Sequence, residues 1–327
     1  MWHRIVLKLM SPARTICSLL ILLSLIDSSH SKSANPEPSY TPDWPSLDGR
    51  PIPEWYDKAK FGIFIHWGPY SVPAFSPGSA DVSHSNAEWF QKYWQDEHIP
   101  AHVEYMQQTF LKNNPNFQYS DFVPLFTAEK FDPSEWAKLF RESGAKYVVP
   151  TSKHHDGFTL FPSPYTAKGW TADTAGPRRD LLGLLREAVL KEGLEFGLYY
   201  SLYEWFHPSW LRDNATRFAE ENYILRKVAP ERQLLVERYL PSVWWSDGFR
   251  GATDSYWRSK EFLAWLYSES PVRHKVVVND RWGMHLLCKH GDFYNCWDRF
   301  SPGWPILFIH ISSLPFLWIS TIHYSTT

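Results

Sequence analysis

The sequence predicts an α/β protein of the (β/α)₈, TIM-barrel type, with its last strands missing. Three observations carry this. Short apolar runs alternate with longer stretches of helical periodicity, the pattern of a parallel sheet with crossover helices. The runs are continuously apolar, as strands buried on both faces are. Polar residues gather at their C-terminal ends, namely His66, Lys153-His154-His155, Tyr199, Asp247 and Asp280-Arg281, the edge where such a barrel carries its chemistry. A doubly wound sheet would use the same edge, but usually with a Gly-rich phosphate loop, and none is visible.

The elements follow in order. Residues 1–31 read as a signal peptide: His3, Arg4, Lys8 and Arg14 precede the apolar run 19–26, and Ser29 and Ser31 fit a cleavage site. The run is too short for a comfortable membrane span. The Ser/Pro-rich stretch 32–50 reads as a linker or surface wrap. Predicted strands are 61–67, 146–150, 196–200, 243–247 and 275–280, with a weaker sixth at 292–296. Between them the spacing predicts helices at 133–143, 179–192 and 255–268, the first with a Pro133-Ser134-Glu135 start signal. The partial barrel is therefore expected over 32–303.

Residues 304–327 break the rhythm. The stretch has no charged side chain other than histidine, is interrupted by Pro305 and Pro315, and does not read as a barrel strand-and-helix pair. It reads as an end foreign to the domain, such as an intron or alternative exon translated to its first stop. A membrane segment is the competing reading, weakened by the shortness of the stretch and its prolines.

Composition limits the function classes. The chain has 327 residues and a formal net charge of −2, so no basic excess points to nucleic acid. Its 18 Trp, 17 Tyr and 21 Phe suit either an aromatic core or a site that stacks sugar rings. Of 3 cysteines, Cys17 lies in the leader, leaving Cys288 and Cys296. They can pair in an oxidising compartment, but two cysteines do not fix a bridge. The sequon Asn214-Ala215-Thr216 is a glycosylation candidate.

Asp247, between Val243-Trp244-Trp245-Ser246 and Gly248, places a carboxylate at a strand end beside indoles. Glycoside hydrolysis needs one carboxylate to attack and one carboxyl to protonate the leaving oxygen. A lone Asp at a strand end can equally cap a loop or helix. His66, His154 and His155 can bind sugar hydroxyls, since imidazole both donates and accepts. They can also bind a metal, which would call for further ligands at suitable spacing, or serve in the core. Trp67, Trp89 and Trp245 are candidate stacking platforms.

FGIFIHWGPYSVPAF (61–75), AKYVVPTSKHHDGFTLFPSP (145–164), FGLYYSLYEWFHP (196–208), SVWWSDG (242–248) and VVVNDRWG (276–283) resemble the α-L-fucosidases of glycoside hydrolase family 29, animal type. The resemblance runs from about residue 43 to 303. It implies a (β/α)₈-like barrel followed by a C-terminal β-sandwich, here missing. It implies removal of terminal α-L-fucose from glycans with retention, and no cofactor or metal. Asp247 of the Trp-Ser-Asp-Gly motif takes the nucleophile's role. His66, Glu88, Trp89, His154, His155, Tyr199, Trp245 and Arg281 take the fucose pocket.

The acid/base role carries to Asp298 in Asn295-Cys296-Trp297-Asp298, where relatives commonly read Asn-Cys-Glu-Asp. A Glu farther downstream has also been given that role, in a region with no counterpart here. The link SPGSADVSHSN (76–86) is longer than usual and bears on where Glu88 and Trp89 sit, and His155-Asp156-Gly157 replaces the more frequent His-Glu-Gly. The implied partners are fucosylated glycans and a second copy in a homo-oligomer, without nucleic acid or stable membrane insertion. The implied location is the secretory pathway, lysosomal or extracellular. The alternative is a non-catalytic or unstable remnant, since six strand candidates leave sheet edges unpaired.

Overall fold

The structure, a computed structural model, describes residues 39–296, Asp298 and a short strand at 318–320. Strands β1 (Gly62–His66), β2 (Tyr147–Lys153), β3 (Glu195–Ser201), β4 (Val243–Asp247) and β5 (Val277–Val278) lie side by side in sequential order, all parallel. A doubly wound sheet reverses its order at a switch point. This sheet never does, and so winds in one direction as a barrel wall. Helices α1 (Pro133–Glu142), α2 (Leu181–Lys191), α3 (Ala229–Tyr239) and α4 (Ser259–Ser268) fill the four crossovers.

Local chemistry sets these helix ends. Asp132 accepts hydrogen bonds from the backbone N–H groups of Ser134 (2.8 Å) and Glu135 (3.1 Å), with Pro133 in the first turn. Asp180 caps α2 through the N–H of Gly183 at 2.9 Å. A π-helical turn, Ile224–Val228, leads into α3, which ends where Leu240 turns left-handed at φ 48°.

Strand alternation divides the core into two layers. Val148, Phe196, Leu198, Trp244 and Val278 face the helices and pack with Leu181, Leu185, Val189, Leu235, Phe262 and Leu266. Tyr147, Val149, Tyr199, Val243, Trp245 and Val277 face the other way and form an inner cluster with Tyr56 and Phe293. Gly62 and Gly197 make room for it. A Cβ on Gly62 would lie 2.1 Å from the Tyr147 ring, and one on Gly197 would lie 2.7 Å from the Val243 Cβ. The same alternation carries inward orientation up β4 from Trp245 to Asp247.

Two sequence expectations are corrected. The strand expected over 275–280 shortens to Val277–Val278, because a side chain takes over the ladder. The Asn279 amide accepts from Ser246 N and donates to Ser246 O, both at 2.9 Å. The weaker strand expected at 292–296 does not form. Asp292 instead caps β5, its carboxylate accepting from Val278 N at 2.8 Å while pairing with buried Arg50 at 3.1 Å. Burial pushes the Asp292 carboxyl up to about 6, against the pull of Arg50.

The tail contributes one short strand. Within 304–327, Trp318–Ser320 forms β6, antiparallel to β1 and pairing Phe64 with Ser320 and His66 with Trp318. A free edge of unpaired backbone groups is a template for any short uncharged run. The rest of that tail and the leader at 1–31 lie outside the described residues.

Candidate active site

The C-terminal edge of the sheet brings the expected residues together. Asp247 ends β4, with its side chain 16 % exposed. The Tyr199 hydroxyl donates to Oδ2 at 2.7 Å, and Arg281 Nη1 donates to Oδ1 at 2.9 Å. Burial alone would raise the carboxyl's pKa, but the Arg281 guanidinium, the Tyr199 hydroxyl and the Gly248 N–H outweigh it and hold Asp247 far below the ordinary carboxylate range. Asp247 is therefore an anion, with Tyr199 and Arg281 donating to it. Arg281 is shifted the other way: burial opposes its charge, but Asp247 and Asp298 hold the proton more firmly.

His155 has a tautomer fixed by its neighbours. Its Nδ1 lies 2.6 Å from Ser201 Oγ, and that hydroxyl donates to Tyr203 O at 2.6 Å. The Ser201 proton being committed, Nδ1 must carry the hydrogen. Burial lowers the imidazole to about 4 despite the nearby Asp247 charge, so the ring is neutral at pH 7. Its Nε2 then presents a lone pair 3.5 Å from Asp247 Oδ2. That contact is not an ion pair. It is an acceptor and an anion left side by side, with room for a hydroxyl donor to satisfy both.

His154 is buried beneath the same edge. Its ring stacks on Tyr199 with centroids 5.7 Å apart and meets His66 edge-on at 5.4 Å. Burial, then the neighbouring His155 and His66, drive its pKa well below the ordinary value, and its Nδ1 has no partner. A buried neutral ring with an unpaired nitrogen at the mouth of a sheet is arranged for a polar ligand. Trp245 stacks on Phe64 at 4.5 Å and forms the inner wall.

Trp89 faces His155 edge-on at 5.6 Å and Trp205 at 5.1 Å. Both Glu88 and Trp89 sit half-buried in the 3₁₀ turn Ala87–Trp89. The long link before them folds into two further 3₁₀ turns, 78–80 and 82–84, tied by Asp81 and His84 at 2.6 Å, and leaves Trp89 against His155. Trp67 goes elsewhere. It packs on Phe126, Phe131 and Trp136, outside the sheet.

Asp298 reaches the site through Arg281, whose Nη2 donates to its Oδ1. One guanidinium thus joins both expected acids. The Asp298 side chain is 73 % exposed. Asn214 is exposed at the end of the helix Pro208–Ala215.

Sequence reasoning missed Tyr203 and Trp205. Tyr203 stacks on His155 at 4.7 Å, and Trp205 contacts His154 and His155 at 5.9 and 5.2 Å. Their signal was position: both lie just past the strand predicted at 196–200. A buried quartet holds their loop. Lys153 pairs with Glu204 at 2.7 Å and Glu231 at 3.4 Å, and Lys227 pairs with the same two at 3.3 and 2.9 Å. Burial would raise Glu231, but Lys227 and Lys153 bring it down to about 2. A register irregularity between Thr151 and Lys153 puts Lys153 beside Tyr200, on the helix-facing side.

Asp280, Cys288 and Cys296 bring one oxygen and two sulfurs within 4.8 Å of one another, a spacing open to a metal ion. The sulfurs are joined in a disulfide, so neither offers a thiolate.

A one-way parallel barrel wall with an anionic carboxylate, a guanidinium, histidines and indoles at its carboxyl edge defines a (β/α)-barrel protein of the kind whose chemistry lies at that edge. The particular family is shown by comparison. The chain belongs to the α-L-fucosidase family, whose sequence model matches residues 27–308. It is 52% identical to the human (Homo sapiens) plasma α-L-fucosidase over 265 residues, covering 81% of this chain and 54% of that one. It is 51% identical to the rat (Rattus norvegicus) tissue α-L-fucosidase over 263 residues, covering 80% and 54%. A solved Thermotoga maritima α-fucosidase in complex with fucose superposes with a TM-score of 0.61 at 40% identity, covering 75% of this chain and 57% of that one. The chain thus spans about half the length of the curated relatives it matches.

Proposed function

We propose that this protein is a retaining exo-glycosidase that hydrolyses terminal α-L-fucose from glycoproteins and oligosaccharides. The observation that carries the reading is Asp247, kept anionic by Arg281 and Tyr199 at the sheet edge beside His154, whose Nδ1 has no partner. In the first step Asp247 Oδ attacks the anomeric carbon, and the bond to the leaving oxygen breaks as Asp298 delivers it a proton. In the second, Asp298 takes a proton from water, whose oxygen displaces Asp247 and restores its carboxylate. The Nδ1 of His154 and the Nε2 of His155 receive sugar hydroxyls, and Trp89 and Trp245 offer flat apolar faces to the ring.

Asp298 needs help from substrate. A proton donor is favoured by desolvation, whereas Asp298 is exposed and faces Arg281. The leaving sugar would cover it. The ion pair seen here suits the base role of the second step.

The substrate class follows the family, and the tissue and plasma relatives support a lysosomal or secreted protein reached through a leader at 1–31. Exposed Asn214 is then available for glycosylation. No helix among the described residues is long and apolar enough to cross a membrane. Proton NMR of the first product from an aryl α-L-fucoside tests the reading: α-L-fucose is expected, and β-L-fucose or no turnover would overturn it.

A further inference from the structure

Asp280 is fully buried, directly precedes Arg281, and has no part in the proposed chemistry. Its carboxylate is occupied by the backbone of one loop. Oδ2 accepts from the N–H of Cys288 at 2.7 Å and of Cys296 at 3.0 Å, and Oδ1 accepts from the N–H of Asn295 at 3.2 Å. A buried carboxylate satisfied by several N–H groups is a strong, directional anchor. The Cys288–Cys296 disulfide closes the same loop. With the Asn295 amide oriented to satisfy its neighbours, its oxygen accepts from Arg281 Nε at 2.8 Å and Nη2 at 2.9 Å, and its nitrogen donates to Asp280 Oδ1 at 2.6 Å.

We propose that Asp280 is a positioning residue, acting with the disulfide as a clamp on residues 288–296 that sets Asp298 and Arg281 opposite Asp247. The roles of Asp298 and Asp247 rest on the proposed function; the clamp rests on the contacts above. Asp280 holds both ends of the loop, the disulfide shortens it, and Asn295 ties it to the guanidinium. Asp298 follows Cys296 by two residues, so it cannot wander far while the clamp is closed. Among the described residues, this loop meets the pocket side of the sheet through Arg281 and through Phe293, which packs on Trp245 at 5.4 Å.

The test compares substrates that do and do not need a proton donor. Asp280→Asn keeps the shape but turns an amide NH₂ toward backbone donors. On methyl α-L-fucoside, whose leaving group must be protonated, kcat should fall by about tenfold or more with KM nearly unchanged. On 2,4-dinitrophenyl α-L-fucoside, which leaves unaided, bond cleavage should persist. Azide should then speed turnover by attacking the anomeric carbon of the fucosyl–Asp247 ester, releasing the carboxylate and giving α-L-fucosyl azide.

Reversible reduction of the unsubstituted chain with dithiothreitol gives a second route that needs no refolding, since Cys17 is the remaining cysteine. It should produce the same split, restored on reoxidation. Hydrogen exchange at Cys288, Asn295 and Cys296, read on the same samples, should speed up in both cases. Unchanged exchange, or equal losses on the two fucosides, overturns the clamp. Failure of the untreated chain to cleave either fucoside, with exchange responding as expected, contradicts the proposed function and leaves the clamp standing.

Discussion

Asp247 and Asp298 share one guanidinium, yet different kinds of structure deliver them. Asp247 ends a regular strand, with Tyr199 and His155 supplied by neighbouring β3 and the end of β2. Asp298 lies beyond a two-residue strand, on a segment fixed by side chains: Asn279 completing the ladder, Asp292 capping β5, and Asp280 gripping the loop. The first acid is 16 % exposed and the second 73 %. The difference fits the chemistry proposed. A nucleophile profits from a rigid, buried, pre-charged position, while a group that must take and give a proton needs access to the leaving group and then to water.

Replacing each acid sharpens this comparison most. Asp247→Ala should lower kcat by about 10⁴-fold or more on every fucoside, whatever the leaving group, because no covalent intermediate can form. Asp298→Ala should cost about 10²–10⁴-fold on methyl α-L-fucoside and far less in cleavage of the dinitrophenyl substrate. Steady-state and burst kinetics on the two substrates read both. Equal profiles for the two variants would break the distinction.

A smaller effect should come from the support under the nucleophile side. Lys153→Met leaves Glu204 and Glu231 facing Lys227 alone in a buried quartet, and breaking such a pair costs about 3–5 kcal/mol. Urea unfolding measures it, and a loss near zero would show the quartet to be uncoupled from the fold.

An effect of comparable size is one of pH. Burial raises the Asp156 carboxyl to about 7, with the Tyr119 hydroxyl and the Phe158 N–H pulling the other way. A raised folded-state value means that the folded chain holds this proton more tightly than the unfolded chain. The contribution is complete below the unfolded value, near 4, and is lost as pH rises through 7. Asp156→Asn can accept the 3.1 Å bond from the Phe158 N–H through its single oxygen and donate from its NH₂ to the Tyr119 hydroxyl oxygen at the 2.9 Å position, without ionising. The variant should match the parent's stability near pH 4 and exceed it at pH 8. A constant difference across that range would contradict the assignment.

The legibility of the sequence divides along the same line. Strands β1 to β4 were readable because continuous apolar runs have few other uses, α1 because of its start signal, and α2 and α4 because of their period. His66, His154, Tyr199 and Asp247 followed from their places at strand ends. What was not readable is what side chains do in place of backbone. The runs 275–280 and 292–296 both read as strands in the sequence, the second more weakly. Only the structure shows Asn279 and Asp292 ending the ladder there, and the pairing of Cys288 with Cys296 depends on that loop. Trp67 and Trp205 illustrate the limit in a different way. Each is an indole just past a strand, and which face each takes depends on strand register and on the loop that follows.

The central claim is that Asp247, and not Asp298, becomes bonded to the sugar. It is tested most directly by incubating the chain with 2-deoxy-2-fluoro-fucosyl fluoride, whose fluorine slows release of the covalent adduct, and locating the label by peptide mass spectrometry. A single deoxyfluorofucosyl group on Asp247 is predicted. A label on Asp298 or on any other residue, or no label at all, would contradict it.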